Sequence, residues 1–405
     1  MAGKLRLYQK PGFFSYLLMR IASFFVSTFI FRRKFLRNEL RNEKGSCVVI
    51  ANHQAALDFV NFVGATRRRV TFVISNSFYS SLPLKGIMDR LHVIPKQQFQ
   101  TEASDLLKMK AVVEGGGILV IYPAGLMCED GLSTPIPQAT YKFLKWMKAD
   151  VYAARTTGTY FAMPKWAHGM RAGRTFLDIY KLFDRETLAA MPMEEVREKT
   201  NEALLFDAYR EQEQYQVRYR ENDDVRGLEN VLYVCPHCRK EFTMSVVDRK
   251  TLRCTECGFE ETCDELGFLH KTGGEGEEIR YVSDWSRLTY GEMAKHVRED
   301  PELTLSAETG IQMINREKNS FEDVGQGTVT LDRKGFRLIG KIRDKLVELN
   351  IPITNIPTLP FSPGKRSELQ QGPVIYRCVL KDGRMAQKFI HMLKACYALQ
   401  NPVEA

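Results

Sequence analysis

Between residues 44 and 219, short apolar runs recur and are separated by stretches with helical character. The runs are Cys47-Val48-Val49-Ile50, Val70–Ile74, His92–Ile94, Ile118–Tyr122, Val151–Ala154 and Thr175–Tyr180. They are continuous rather than alternating and rich in β-branched residues, as expected of strands buried on both faces. Helices are predicted at Ala55–Ala65, at Glu102–Glu114 before Gly115-Gly116-Gly117, at Pro137–Lys148 and over Met193–Arg220. Strands alternating with helices in this way argue for a largely parallel α/β sheet covered on both faces. Ligands in such sheets bind beyond the carboxyl ends of the strands.

The two ends of the chain follow other patterns. An apolar, aromatic run from Phe13 to Phe31 is flanked by Lys4, Arg6 and Lys10 and by Arg32, Arg33, Lys34 and Arg37. No small-residue cleavage site follows it, which excludes a signal peptide. Its length approaches a bilayer span, but Arg20 at its centre would cost roughly 2.5–3.5 kcal/mol there. Arg20, Ser23 and Ser27 share one helical face, so residues 1–43 are expected to form an amphipathic helix lying in the membrane interface, basic ends on anionic headgroups. After the polar linker at 271–278, a helix over Trp285–Asp300 should lead into strands near 327–331, 335–339, 346–353, 367–370 and 374–380. A closing helix over Met385–Leu399 would carry Phe389, Met392, Leu393 and Tyr397 on one face.

Composition narrows the setting. A chain of 405 residues exceeds one typical domain. Its net charge of +9 suits an anionic partner: a lipid surface, an acidic carrier protein or nucleic acid. Nine cysteines, four of them in two C-x-x-C pairs, do not suggest a disulfide framework and fit a reducing cytoplasm.

The chemistry concentrates in Asn52-His53-Gln54-Ala55-Ala56-Leu57-Asp58, just after the first apolar run. On one regular helix His53 and Asp58 would lie roughly 140° apart. They meet only if His53 sits on the turn and Asp58 in the first helical turn, where the dipole favours a carboxylate. Such a pair is a base of fixed tautomer, able to take a proton from a hydroxyl that attacks a carbonyl. Asn-His-x-x-x-x-Asp after a buried strand resembles the first motif of the glycerolipid (1-acylglycerol-3-phosphate acyltransferase-like) acyltransferase family, and later segments of residues 1–215 fall in the family's order.

That resemblance implies a set of further residues. The second motif aligns with Leu91–Lys96, making Lys96 the phosphate-binding cation where the family usually has Arg. The third motif, usually Phe-Pro-Glu-Gly-Thr-Arg-Ser, reads Tyr122-Pro123-Ala124-Gly125-Leu126-Met127-Cys128. Pro123 and Gly125 keep its frame, while Ala124, Leu126 and Met127 replace its polar residues. Either the acceptor lacks a phosphate or presents it differently, with the site accordingly less polar, or the domain binds lipid without turning it over. The fourth motif falls at Val151-Tyr152-Ala153 and lacks its Pro. By resemblance His53 is the base, Asp58 its orienter, Asn52, Lys96, Pro123 and Gly125 contact substrate, and Gly125 and neighbouring backbone donors are placed to approach the oxyanion. The donor would be an acyl thioester of acyl-carrier protein or coenzyme A, and Cys128 is the alternative nucleophile.

A second motif, Cys235-Pro236-His237-Cys238 followed after fifteen residues by Cys254-Thr255-Glu256-Cys257, has the spacing of a four-thiolate structural metal site and resembles a zinc ribbon. Iron takes the same ligands. Basic and acidic residues mix around the ribbon, so nucleic acid is not expected there. The C-terminal strands and helix resemble a pleckstrin-homology-like (PH-like) domain. The expected organisation is an interfacial segment (1–43), a mixed sheet covered by helices (44–219), a zinc ribbon (228–270), a linker and helix (271–301) and a β-rich domain (302–400), placed on the cytoplasmic face of the membrane. A non-catalytic lipid-binding scaffold is the competing class.

Overall fold

The computed structural model describes residues 8–80, 85–98, 102–315, 317–318, 320–372 and 374–401. Lys4 and Arg6 of the basic flank lie outside the described residues. The chain forms two compact units, Met1–Pro164 with Met170–Arg220 and Lys165–Gly169 with Glu221–Ala405.

In the first unit seven strands form one sheet: β1 (Lys34–Asn38), β2 (Cys47–Ala51), β3 (Thr71–Ser75), β4 (Ile94–Lys96), β5 (Ile118–Ile121), β6 (Asp150–Thr157) and β7 (Phe176–Phe183). Their order is β1-β7-β6-β2-β5-β3-β4. The five strands from β6 to β4 run parallel. At the other edge β7 returns antiparallel to β6, and β1 lies parallel to β7. The sheet is therefore mixed, and β1, read from sequence as a basic flank, is its edge strand.

Strand β2 is central because each of its residues has a core to enter. Val48 and Ile50 join Leu119, Ile121, Val151, Met109, Leu144 and Val196 on one face. Cys47 and Val49 join Val120, Tyr152, Phe62, Val63 and Tyr16 on the other. Burying an aliphatic side chain of this size contributes about 1.5–3 kcal/mol, which fixes the level at which the strand ends. The first face is covered by helices Ala103–Glu114, Gln138–Met147 and Met193–Leu204. The expected single helix to Arg220 breaks at Leu205. Asp207 accepts hydrogen bonds from the N–H groups of Tyr209 and Arg210 and caps a separate helix, Ala208–Tyr215.

The other face carries the Asp58–Val63 helix and the N-terminal helix, Phe13–Phe25, which continues as a π-type turn over Val26–Ile30. This N-terminal helix is inverted relative to a soluble one. Ser15, Tyr16, Ser23 and Ser27 are buried, while Phe13, Phe14, Leu18, Phe24, Phe25 and Phe29 are exposed. Arg20 turns inward and donates to the Thr66 carbonyl (2.5 Å), so its charge rests on protein. The Phe13–Ile30 stretch, with mean hydropathy 1.6, is long and apolar enough to cross a membrane.

The second unit begins with a four-stranded antiparallel sheet: β8 (Met244–Val246), β9 (Thr251–Cys254), β10 (Glu260–Cys263) and β11 (Leu269–Gly273). The Val282–Glu299 helix follows, and its buried Trp285 donates Nε1–H to the Val234 carbonyl (2.8 Å). Seven antiparallel strands come next: β12 (Leu305–Asn315), β13 (Ser320–Leu331), β14 (Gly335–Ile342), β15 (Lys345–Pro352), β16 (Phe361–Ser362), β17 (Arg366–Gln371) and β18 (Val374–Leu380). They are ordered β15-β14-β13-β12-β18-β17-β16. The Met385–Gln400 helix sets Phe389, Met392 and Leu393 into the core with Phe336 and Val329.

Candidate functional site

Strand β2 delivers Asn52 and His53 to the carboxyl edge of the parallel strands, and the chain then turns into the helix that starts at Asp58. Asp58 is 1% exposed. Its Oδ2 lies 2.9 Å from His53 Nδ1 and also accepts the N–H groups of Gln54 (2.7 Å) and Ala55 (3.0 Å). One carboxylate oxygen thus gathers three donors from its own loop, which fixes the loop and the imidazole together. The predicted helix start at Ala55 is a turn instead, because the Gln54 and Ala55 N–H groups point back at this carboxylate. With Nδ1–H donated to a carboxylate, the lone pair of His53 is on Nε2, which makes no hydrogen bond among the described residues. The ring sits 4.6 Å from that of Tyr122 and its side chain is 20% exposed. Burial, with the Asp58 charge added, pushes the Tyr122 phenol well above its usual range, so it stays neutral.

Asn52 also has a structural role that the sequence does not show. Its Nδ2 donates to the Thr156 carbonyl (2.8 Å) and its Oδ1 accepts the Thr156 N–H (2.7 Å), at 2% exposure. The carboxamide imitates a strand residue and ties the end of β2 to β6. Both ends of the carboxamide thus serve the scaffold, holding the loop that carries His53.

Gln54 was not singled out in the sequence, yet it is fully buried. Its Oε1 accepts the Tyr160 N–H (3.1 Å) and the Thr159 hydroxyl (3.2 Å), and its Nε2 donates to Glu211 (3.3 Å). Glu211 pairs with Arg155 at 2.7 Å. Burial raises the Glu211 pKa, and Arg155 opposes the rise. The signal missed was a partner 157 residues away on the closing helix.

Lys96 ends β4 and pairs in register with Ser75 at the end of β3, so it belongs to the same edge as His53. It is partly buried, its Nζ donates to the Gln97 carbonyl (3.0 Å), and burial lowers its pKa. Two residues on, Gln98 Nε2 reaches the Gly125 carbonyl (2.5 Å) and joins this segment to the loop after β5. In that loop Pro123 follows Tyr122. Gly125 has φ +71° and donates its N–H to the Tyr122 carbonyl (3.0 Å). The left-handed φ accounts for glycine here. The same hydrogen bond engages the Gly125 N–H within its own turn, so of the expected group of backbone donors this one is already used. Cys128 is buried with Sγ 3.6 Å from the Gln54 carbonyl, packed beneath the loop rather than open to a substrate.

In the second unit the four motif cysteines, Cys235, Cys238, Cys254 and Cys257, converge. Their Sγ atoms all lie within 4.8 Å of one another, with Cys235–Cys257 at 3.6 Å and Cys238–Cys254 at 3.7 Å. Tetrahedral zinc with bonds of about 2.3 Å needs sulfurs about 3.8 Å apart, so the set fits a metal such as zinc. Each knuckle closes in the same way. The Arg239 N–H donates to the Cys235 carbonyl and the Gly258 N–H to the Cys254 carbonyl, both at 3.1 Å. Both donors are left-handed, at φ +62° and +73°. Four thiolates would complete a tetrahedral shell and leave no open position on a metal bound there. His237 stands apart, 3.9 Å from Glu275, and His270 pairs with Asp264 at 2.8 Å.

Residues 32–164 match the family model described as acyltransferase. The matched segment holds Asn52, His53, Asp58, Lys96, Pro123 and Gly125 and ends before the four-cysteine cluster. Among solved structures the chain is similar to the 1-acyl-sn-glycerophosphate (LPA) acyltransferase PlsC from Thermotoga maritima, with 16% identity and a TM-score of 0.41 over 50% of this chain and 78% of that one. A second likeness, to the Ran binding domain of the nuclear complex component Nup2 from Ashbya gossypii, has 12% identity and a TM-score of 0.20. It covers 24% of this chain and 99% of that one. No curated protein matches the chain.

Proposed function

We propose that this chain is an O-acyltransferase working at the cytoplasmic face of a membrane. It moves a fatty acyl group from a thioester of acyl-carrier protein or coenzyme A to a hydroxyl of a glycerolipid or lysophospholipid. The observation that carries the reading is the His53–Asp58 pair at 2.9 Å, fixed by two backbone donors, within the segment that matches the acyltransferase family. His53 Nε2 takes the acceptor's proton as its oxygen forms the new C–O bond, and the carbonyl electrons move onto oxygen. Collapse of that oxyanion breaks the C–S bond, and the departing thiolate takes the proton back from the imidazolium. The products are an ester and a free thiol.

Asp58 holds the tautomer and offsets the imidazolium charge. The Gly125 N–H is engaged, so the oxyanion donor is the N–H of Leu126, which follows the left-handed residue. Lys96 receives an anionic group of donor or acceptor. The exposed phenylalanines of the N-terminal helix enter the lipid interface, which brings membrane acceptors to the edge that carries His53. The four cysteines hold zinc, or iron, as a fold element outside the reaction.

A second reading, a lipid-binding scaffold without turnover, draws on Ala124, Leu126 and Met127 in place of the family's Glu, Thr and Arg. Incorporation of labelled acyl groups from both thioester types into a panel of lysolipids and neutral glycerolipids separates the two. Product from wild type and none from His53→Ala is expected. No product from any pair, with vesicle binding retained, would favour the scaffold.

A further inference from the structure

A cavity of about 290 Å³ in the first unit lies apart from His53 and is walled by four arginines, Arg20, Arg33, Arg41 and Arg67. No carboxylate lines it, and among the described residues none of the four forms an ion pair. Two of them are set in place by backbone. Arg33 donates to the Asn61 carbonyl and Arg20 to the Thr66 carbonyl, both near the carboxyl end of the Asp58–Val63 helix. Those carbonyls orient the guanidiniums and offset only part of their charge. Arg20 Nε is buried with no hydrogen-bond partner among the described residues, an unspent donor at the wall. Burial draws the Arg33 pKa down, and an anion beside it would reverse that. Ser27 and Thr66 add polar atoms to the lining.

We propose that this pocket binds the phosphate of an anionic phospholipid headgroup, holding the protein on acidic membrane independently of the catalytic edge. Guanidinium forks match phosphate oxygens in geometry as well as charge. The source is a lipid because Phe24 belongs both to the pocket wall and to the exposed apolar row of the N-terminal helix. A headgroup seated among the arginines has its acyl chains beside Phe24. This inference rests on the proposal that the same helix faces the membrane.

The test is vesicle flotation of the full chain with phosphatidylcholine alone and with phosphatidylcholine containing phosphatidylglycerol. The variants are Arg41→Gln/Arg67→Gln and, as a charge-matched control, Lys142→Gln/Arg185→Gln. Arg41, Arg67, Lys142 and Arg185 are all exposed, so both doubles should fold, which their thermal midpoints check. Partition into phosphatidylcholine reports the apolar helix face, and the increment with phosphatidylglycerol reports the pocket. Each lost guanidinium should reduce the increment about fivefold, with phosphatidylcholine binding unchanged and the control double near wild type. Equal losses in both doubles would show diffuse charge and overturn the pocket. Suppression of the increment by glycerol 3-phosphate at matched ionic strength, with equal affinity for that free phosphate, would overturn the lipid as the source. No binding to either vesicle would overturn the membrane-facing helix along with it, whereas phosphatidylcholine binding without an increment overturns the pocket alone.

Discussion

Replacing Asp58 by Asn isolates the carboxylate charge from the geometry it creates. An amide oxygen at the position of Oδ2 can still accept the Gln54 and Ala55 N–H groups, so the loop should survive. What disappears is the attraction between a carboxylate and the imidazolium formed as His53 takes the proton. At 2.9 Å and an effective dielectric constant of about 20, Coulomb's law gives about 6 kcal/mol for that pair. General-base catalysis as a whole contributes about 10²–10⁴ in rate, which caps the observable loss, so kcat should fall by about that factor. The assay is thiol release from the acyl thioester at saturating acceptor, for Asp58→Asn, His53→Ala and the double variant. The two residues act as one unit, so the double should be no slower than His53→Ala alone. A single variant within about threefold of wild type, or losses that multiply in the double, would refute the pairing as the source of the base.

Three further outcomes follow from the geometry. Purified protein should carry about one metal ion per chain by elemental analysis, and Cys238→Ser should lose it and lower the unfolding midpoint of the second unit. Asn52→Ala should destabilise the first unit by roughly 2–4 kcal/mol in denaturant titration, because the Thr156 N–H and carbonyl are both left unpaired and buried. Glu261, whose carboxyl is pushed by burial from 4.5 up to about 8, binds more protons folded than unfolded. Its contribution is therefore fully present below about pH 4.5 and is lost as pH rises toward about 8. Glu261→Gln should flatten the pH dependence of the second unit's thermal midpoint across that window.

The chain was legible where local sequence and tertiary role agree. Cys47–Ile50 and Ile118–Ile121 read as buried strands because both faces of each enter a core. The pairing of His53 with Asp58 was legible because both lie within one turn. Strand β1, Lys-Phe-Leu-Arg-Asn, was hidden because an edge strand with exposed cations has no apolar run to mark it. Strand β12 was hidden by Ser306, Glu308, Gly310 and Gln312, residues held in place by neighbours β13 and β18 rather than by propensity. The tie of Asn52 to Thr156 was hidden because its partner is 104 residues away and meets it only once β2 and β6 pair. Sequence reveals the need for a left-handed residue at Gly125 without showing that its N–H closes the turn on Tyr122. The N-terminal helix kept its expected amphipathicity, but its serines and Arg20 face protein, and its phenylalanines face outward.

The most direct test of the central claim is acceptor-dependent thiol release by wild type and His53→Ala at equal vesicle occupancy. Release should require both the lysolipid and His53, with the variant binding vesicles as wild type does. Wild-type rates from His53→Ala, or no release from wild type with any thioester and acceptor, would contradict it.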